Sequence, residues 1–150
     1  MKFEDKSRVV SKEKGSYPII PLQASLSDES YSENVYTKTL TMLRGAIDTL
    51  DLGSPSDLSI DIGPVIDKAS KEKINSHLGN ISKLYQSKGT TADGHFVPAT
   101  IIEISSLKEI KEEIFGPVVH VMSYKTKEIL KLCADINRLG FGLTLGIHSR

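Results

Sequence analysis

The stretch KEEIFGPVVHV, Lys111 to Val121, decides how the rest of the chain is read. Charged residues run up to Glu113, and then come Ile114-Phe115-Gly116-Pro117 and an apolar run. An aromatic followed at once by glycine and proline, the freest and the most restricted backbones, marks a sharp turn. The residues that follow, PVVHVMSY (117–124), are apolar on both sides of a pleat. That is the pattern of a strand covered on both faces, so helices are expected on either side of it.

Working outward, Thr126 to Arg138 reads as a helix with Ile129, Leu132, Cys133 and Ile136 inward and Gly140 as terminator. FGLTLGIHS (141–149) is expected to be a last strand. On the other side, SSLKEIKEE (105–113) is a short helical turn, and GHFVPATIIEI (94–104) is a strand interrupted by Pro98, at an edge or a bend. A helix is predicted from Lys68 to Ser87, with Asp67 as N-cap, Ile74, Leu78, Ile81 and Leu84 buried, and Gly89 at its end. Another is predicted from Tyr31 to Leu52. Val35, Leu40, Leu43, Ile47 and Leu50 form its apolar stripe, Lys38, Arg44 and Asp48 turn away, and Gly53-Ser54-Pro55 stops it. SYPIIPLQA (16–24) is extended because Pro18 and Pro21 deny helix. Met1 to Gly15 is expected to be a mobile arm or a poorly committed helix. The fold class is therefore α/β, a layered sheet with helices. A sheet layer ending at Arg150 would leave an open edge, so the chain reads as part of something larger.

Composition narrows the function. The nineteen Lys and Arg residues balance nineteen Asp and Glu, which gives no electrostatic case for nucleic acid or an anionic membrane as partner. A single cysteine cannot form an internal disulfide, and no signal peptide or membrane span is evident, so a cytoplasmic location is the expectation. His77, His95, His120 and His148 are too scattered for a metal motif. His120 is read as a satisfied strand histidine and His77 as solvent-facing or partly buried. Asp61 and Asp67 are read as turn and cap residues, and the lysines at 68, 71, 73, 125, 127 and 131 as solvated helix faces.

Four separated stretches, DIGPVID (61–67), GHFVPATIIEI (94–104), KEEIFGPVVHV (111–121) and INRLGFGLTLGIHSR (136–150), together resemble the catalytic domain of the aldehyde dehydrogenase superfamily. With TMLRGAIDTL (41–50), they look closest to its Δ1-pyrroline-5-carboxylate dehydrogenase branch, the L-glutamate γ-semialdehyde dehydrogenases of proline catabolism. The resemblance implies an incomplete doubly wound catalytic domain over residues 31–150, behind a divergent arm and loop over residues 1–30. It implies NAD as cofactor. It also assigns Glu113 to the ribose hydroxyls on the nicotinamide side of NAD, where two carboxylate oxygens can accept from vicinal hydroxyls. Phe115 would pack against the nicotinamide end, and Gly116-Pro117 would turn the chain back into the sheet.

The same resemblance shows what is missing. The family's reaction needs a cysteine thiolate to attack the carbonyl and a glutamate to help water hydrolyse the thioester. The sole cysteine, Cys133, lies downstream of the motif and is read as core, whereas the family's nucleophile precedes the first helix. PIIPLQA (18–24) resembles the strand that runs into the general base, yet Ala24 is followed by SLSDESYSEN, as an internal deletion would leave it. No Gly-rich strand-to-helix turn supplies a dinucleotide-binding domain. The expectation is an NAD-dependent dehydrogenase fragment inactive alone, with no catalytic residue, no metal site, and only Glu113 and Phe115 as cofactor-binding positions. The alternative is a non-catalytic subunit or interaction module that completes a split dehydrogenase by docking with other fragments, or that self-associates through its open sheet edge.

Overall fold

The computed structural model describes residues 20–23, 29–82, 84–88 and 94–140. The N-terminal arm, Gly89 and the strand expected over 141–149 lie outside the described residues. Four strands, β1 (Ile20–Gln23), β2 (Leu84–Gln86), β3 (Thr100–Glu103) and β4 (Val118–Tyr124), form one sheet in the order β1-β4-β3-β2. β4 runs parallel to both neighbours, pairing Ile20 with Val121 and Ile102 with His120, while β2 is antiparallel to β3.

Successive strand residues point to opposite faces, and here each face has its own helical layer. Ile102, Val118 and Met122 pack with Ile74 and Leu78 of helix α2 (Lys68–Leu78) and Leu132 of α3 (Ile129–Leu139). Their neighbours Ile101 and Val121 face the other way, onto Leu40 of α1 (Glu29–Asp48). Ile101, Ile102 and Val121 are essentially inaccessible. The apolar run of β4 implied a strand covered on both faces, and the resemblance implied an incomplete doubly wound sheet; both are found, with one antiparallel edge strand added.

Several boundaries differ from expectation. The helix predicted to Ser87 ends at Leu78, where the Gly79 N–H closes the last turn on Asn75 O at 2.9 Å. The apolar period outlives the helix because Ile81 still packs on the core, while Leu84 begins β2 and is exposed. Pairing with β3 wins over helical periodicity there. α1 ends at Asp48, ahead of Gly53-Ser54-Pro55, and the chain then folds on itself through the Leu52–Ile62 bridge. Pro98 does not mark an edge strand. β3 is interior, and Pro98 lies before its first paired residue, so its missing N–H costs the ladder nothing.

Three side-chain placements are also corrected. Arg44 does not turn away: its guanidinium donates to Glu103 Oε1 at 2.9 Å and lies 5.3 Å from the Tyr85 ring centroid. Asp48 likewise accepts from the Tyr85 hydroxyl at 2.6 Å. Cys133 is exposed rather than core. The buried side of α3 is set by Leu132, Ile136 and Leu139, spaced at four and three residues, and Cys133 stands about 100° around the helix from Leu132. Gly140 ends α3 as expected, in the left-handed region at φ 74°.

The cap of α2 is as read from the sequence. Asp67 Oδ1 accepts from Ser70 N at 2.7 Å, which holds its carboxyl below the usual carboxylate range. Asp67→Ala should lower the melting temperature by a few degrees, followed by circular dichroism. An unchanged melt would show that the cap carries no stability. Asp61 is a turn residue, its carboxylate accepting from Asp51 N at 3.0 Å.

Candidate functional site

The motif that opened the sequence lies in the connection between β3 and β4. The chain leaves on one strand hydrogen bond, Ile104 N to Val121 O at 2.9 Å, and returns on another, Thr100 N to Pro117 O at 2.8 Å. Between them a 3₁₀ turn over Leu107–Glu109 is locked by a capping box: Ser106 Oγ accepts from Lys108 N, and Glu109 Oε1 accepts from Ser105 N and Ser106 N. Ile110 and Ile114 then sink into the core and fix both ends of the following loop.

Around Ile114 the burial alternates. Glu113 is half-buried, Ile114 is 8% exposed and Phe115 is 59% exposed. Ile114 is thus the inward residue of the three, and the carboxylate and the ring that flank it in sequence are the more accessible groups. Among the described residues, none bonds to the Glu113 carboxylate. Gly116 and Pro117 are buried, with Val118 N donating back to Gly116 O at 2.7 Å, so the turn into β4 is tight.

α2 backs this loop at three successive points. Lys73 Nζ pairs with Glu112 Oε2 at 2.8 Å, Ile74 lies against Gly116, and His77 Nε2 meets His120 Nε2 of β4 at 3.1 Å. The two imidazoles meet edge-on, with ring planes at 67°. Burial pushes the His120 imidazole down to about 4, helped by the neighbouring His77 and opposed by Glu109. Burial lowers His77 as well, against Glu112. His77 thus supplies the partner that a buried strand histidine needs. The described residues hold no group of three or more metal-ligating side chains.

A separate groove of about 590 Å³ lies at the carboxyl ends of β3 and β4, between the 3₁₀ turn and α3. Its floor is apolar, from Leu107, Met122 and Leu132, and its rim carries Asp135 bonded to Lys131 at 2.6 Å and Arg138 at 2.7 Å. In open α/β sheets this end of the strands is the usual ligand side. Glu113 and Phe115 do not line the groove; they stand on one loop at the opposite, amino end of β4. On the other face of the sheet, Glu103 also accepts from the Tyr36 hydroxyl at 3.2 Å. Burial and that carboxylate push the phenol up to about 12. The sequence reading missed this cluster and the histidine contact. The available signal was a charged or imidazole residue interrupting an apolar strand.

The profile of the aldehyde dehydrogenase family matches residues 30–150. The bifunctional protein PutA of Klebsiella aerogenes is 44% identical over 129 residues, 79% of this chain and 10% of that protein. A crystal structure of a Bradyrhizobium japonicum proline utilization A variant superposes with a TM-score of 0.70 at 35% identity, covering 78% of this chain and 12% of that one. Betaine aldehyde dehydrogenase of Staphylococcus aureus, solved in complex with NAD+, superposes at 0.58 with 27% identity, over 68% of this chain and 23% of the other. The chain thus spans about a tenth of the length of the PutA relative. With a sheet covered on both faces and the motif loop leading into its central strand, the chain belongs to the aldehyde dehydrogenase family.

Proposed function

We propose that the chain is part of the catalytic domain of an NAD-dependent L-glutamate γ-semialdehyde dehydrogenase of proline catabolism, acting in the cytoplasm and without turnover of its own. One observation carries the cofactor reading: the Glu113-Ile114-Phe115 stretch buries its middle residue, and the residues flanking it are an exposed ring and a carboxylate to which none of the described residues bonds. Glu113 would accept from ribose hydroxyls, and Phe115 would limit where the nicotinamide can lie. These residues fit one wall of such a site. Bound NAD supplies the hydride acceptor; this chain's part is to orient it.

No residue of the chain is assigned to the chemical step. Cys133 stands exposed on α3, which follows β4, and the motif loop precedes that strand. Purified chain mixed with NAD and the semialdehyde should give no NADH absorbance. Turnover that Cys133→Ala abolishes would overturn the reading and make that thiol the nucleophile.

A second reading is a non-catalytic module that completes a dehydrogenase supplied in other pieces. It is favoured by large apolar side chains left bare, Leu58 fully exposed and Ile66 91% exposed. Co-purification with a dehydrogenase fragment would support it, and a stable isolated monomer that ignores such a fragment would count against it.

A further inference from the structure

We propose that His77 and His120 form a proton-sensitive clasp that holds α2 against the Glu113–Phe115 loop, with His77 a positioning residue for that loop. The inference builds on the proposed role of the loop as a nucleotide-facing wall. Its mechanical part needs no nucleotide.

Two imidazoles share one contact here. With the Nε2 atoms 3.1 Å apart, one ring must donate and the other accept. A first added proton can sit on an Nδ1 and leave that bond in place. A second proton puts an N–H on both facing atoms, and the bond is lost to repulsion between two cations. The pair therefore titrates as a unit, and it opens on the second step.

The surrounding charges do not rescue the doubly protonated pair. Glu109, on the 3₁₀ turn, has Oε1 taken by two backbone N–H groups. Glu112, on the loop, is tied to Lys73 of α2, and Glu72 of α2 to Lys68. On α3, Asp135 is held by Lys131 and Arg138. The β3 residue paired with His120 is Ile102, which brings no charge.

The clasp matters to the loop because of what else α2 touches. Residues 73, 74 and 77 of one helix meet Glu112, Gly116 and His120. These three points bracket Glu113 and Phe115. Releasing the last turn of α2 from β4 loosens the backing of Gly116, and with it the outer side on which Phe115 stands. Above the clasp's titration the wall is fixed; below it the wall yields.

The chain has no tryptophan, so Phe115→Trp places a single reporter on the loop. In the full chain without nucleotide, its emission should move to longer wavelength as pH falls, with a midpoint between 4 and 6.5, while far-UV circular dichroism stays constant. Adding His77→Gln should abolish the transition, since a side-chain amide can donate to neutral His120 or accept from the protonated ring. Adding His77→Ala should give the acid-like emission already at neutral pH. A flat wild-type profile, an unchanged transition in His77→Gln, or emission that moves only together with loss of helix signal would overturn the clasp. Because the profile is read without NAD, its outcome bears on the clasp alone and leaves the nucleotide reading to its own test.

Discussion

Gly116→Val should destabilise the fold by roughly 3 kcal/mol or more, lowering the urea midpoint at an unchanged m-value. A Cβ built at position 116 would stand 2.5 Å from Ile74 Cδ1, and Ile74 is 2% exposed at the centre of the α2 layer. A flexible surface side chain would swing aside; a packed isoleucine has nowhere to go. The requirement is for space, not for backbone freedom, because among the described residues the positive-φ glycines are Gly94 and Gly140. Gly45→Ala is the control. A Cβ placed on Gly45 of α1 would meet nothing within 4 Å, so the change should be neutral or stabilise by about 0.5–1 kcal/mol through helix propensity. Combining Gly116→Ala with Ile74→Val should recover part of the loss of the single glycine variant. No recovery would mean that contact with Ile74 is not the cause.

Acid should remove a comparable amount of stability through His120. Its imidazole lies at about 4 in the folded chain against an ordinary 6.5, because it is buried at 5% exposure beside a second histidine. The unfolded chain therefore takes up a proton first as pH falls. The stability is fully present above about 6.5 and is lost progressively as pH falls toward 4. The full difference of 2.5 pH units, from 6.5 − 4, corresponds to about 3 kcal/mol. Asp57, Asp67 and Asp135 are held below their ordinary value of 3.8 by hydrogen bonds, so their losses begin lower. The urea midpoint should thus fall in a distinct step between pH 6.5 and 4, and His120→Gln should flatten it. An equal step in the variant would assign the loss to other groups.

What the sequence made legible follows from which forces act locally. β4 was readable because its run is apolar on both faces, and the cap at Asp67 because a carboxylate three residues before an amide defines its own partner. The extent of α2 was not. Ile81 and Leu84 keep helical spacing past Gly79, yet Ile81 packs on the core from outside the helix and pairing with β3, set by residues 100–102, decides the fate of Leu84. Cys133 was misplaced because Leu132 and Cys133 are adjacent, and only packing chooses between them. Glu113 and Phe115 were found through resemblance to a family. Physics alone gives the turn at Gly116-Pro117 and says nothing about the neighbouring carboxylate. The His77–His120 contact joins residues 43 apart and depends on the docking of α2 over the sheet, which no local pattern encodes.

The outward position of Cys133 bears on how any assembly of this chain is to be judged. As the only thiol, and a bare one, it can be coupled to a dye or spin label at a single defined place on α3. For the same reason, air oxidation can link two copies covalently. A dimer that vanishes on adding reductant is that artefact, whereas one that persists reports a non-covalent surface.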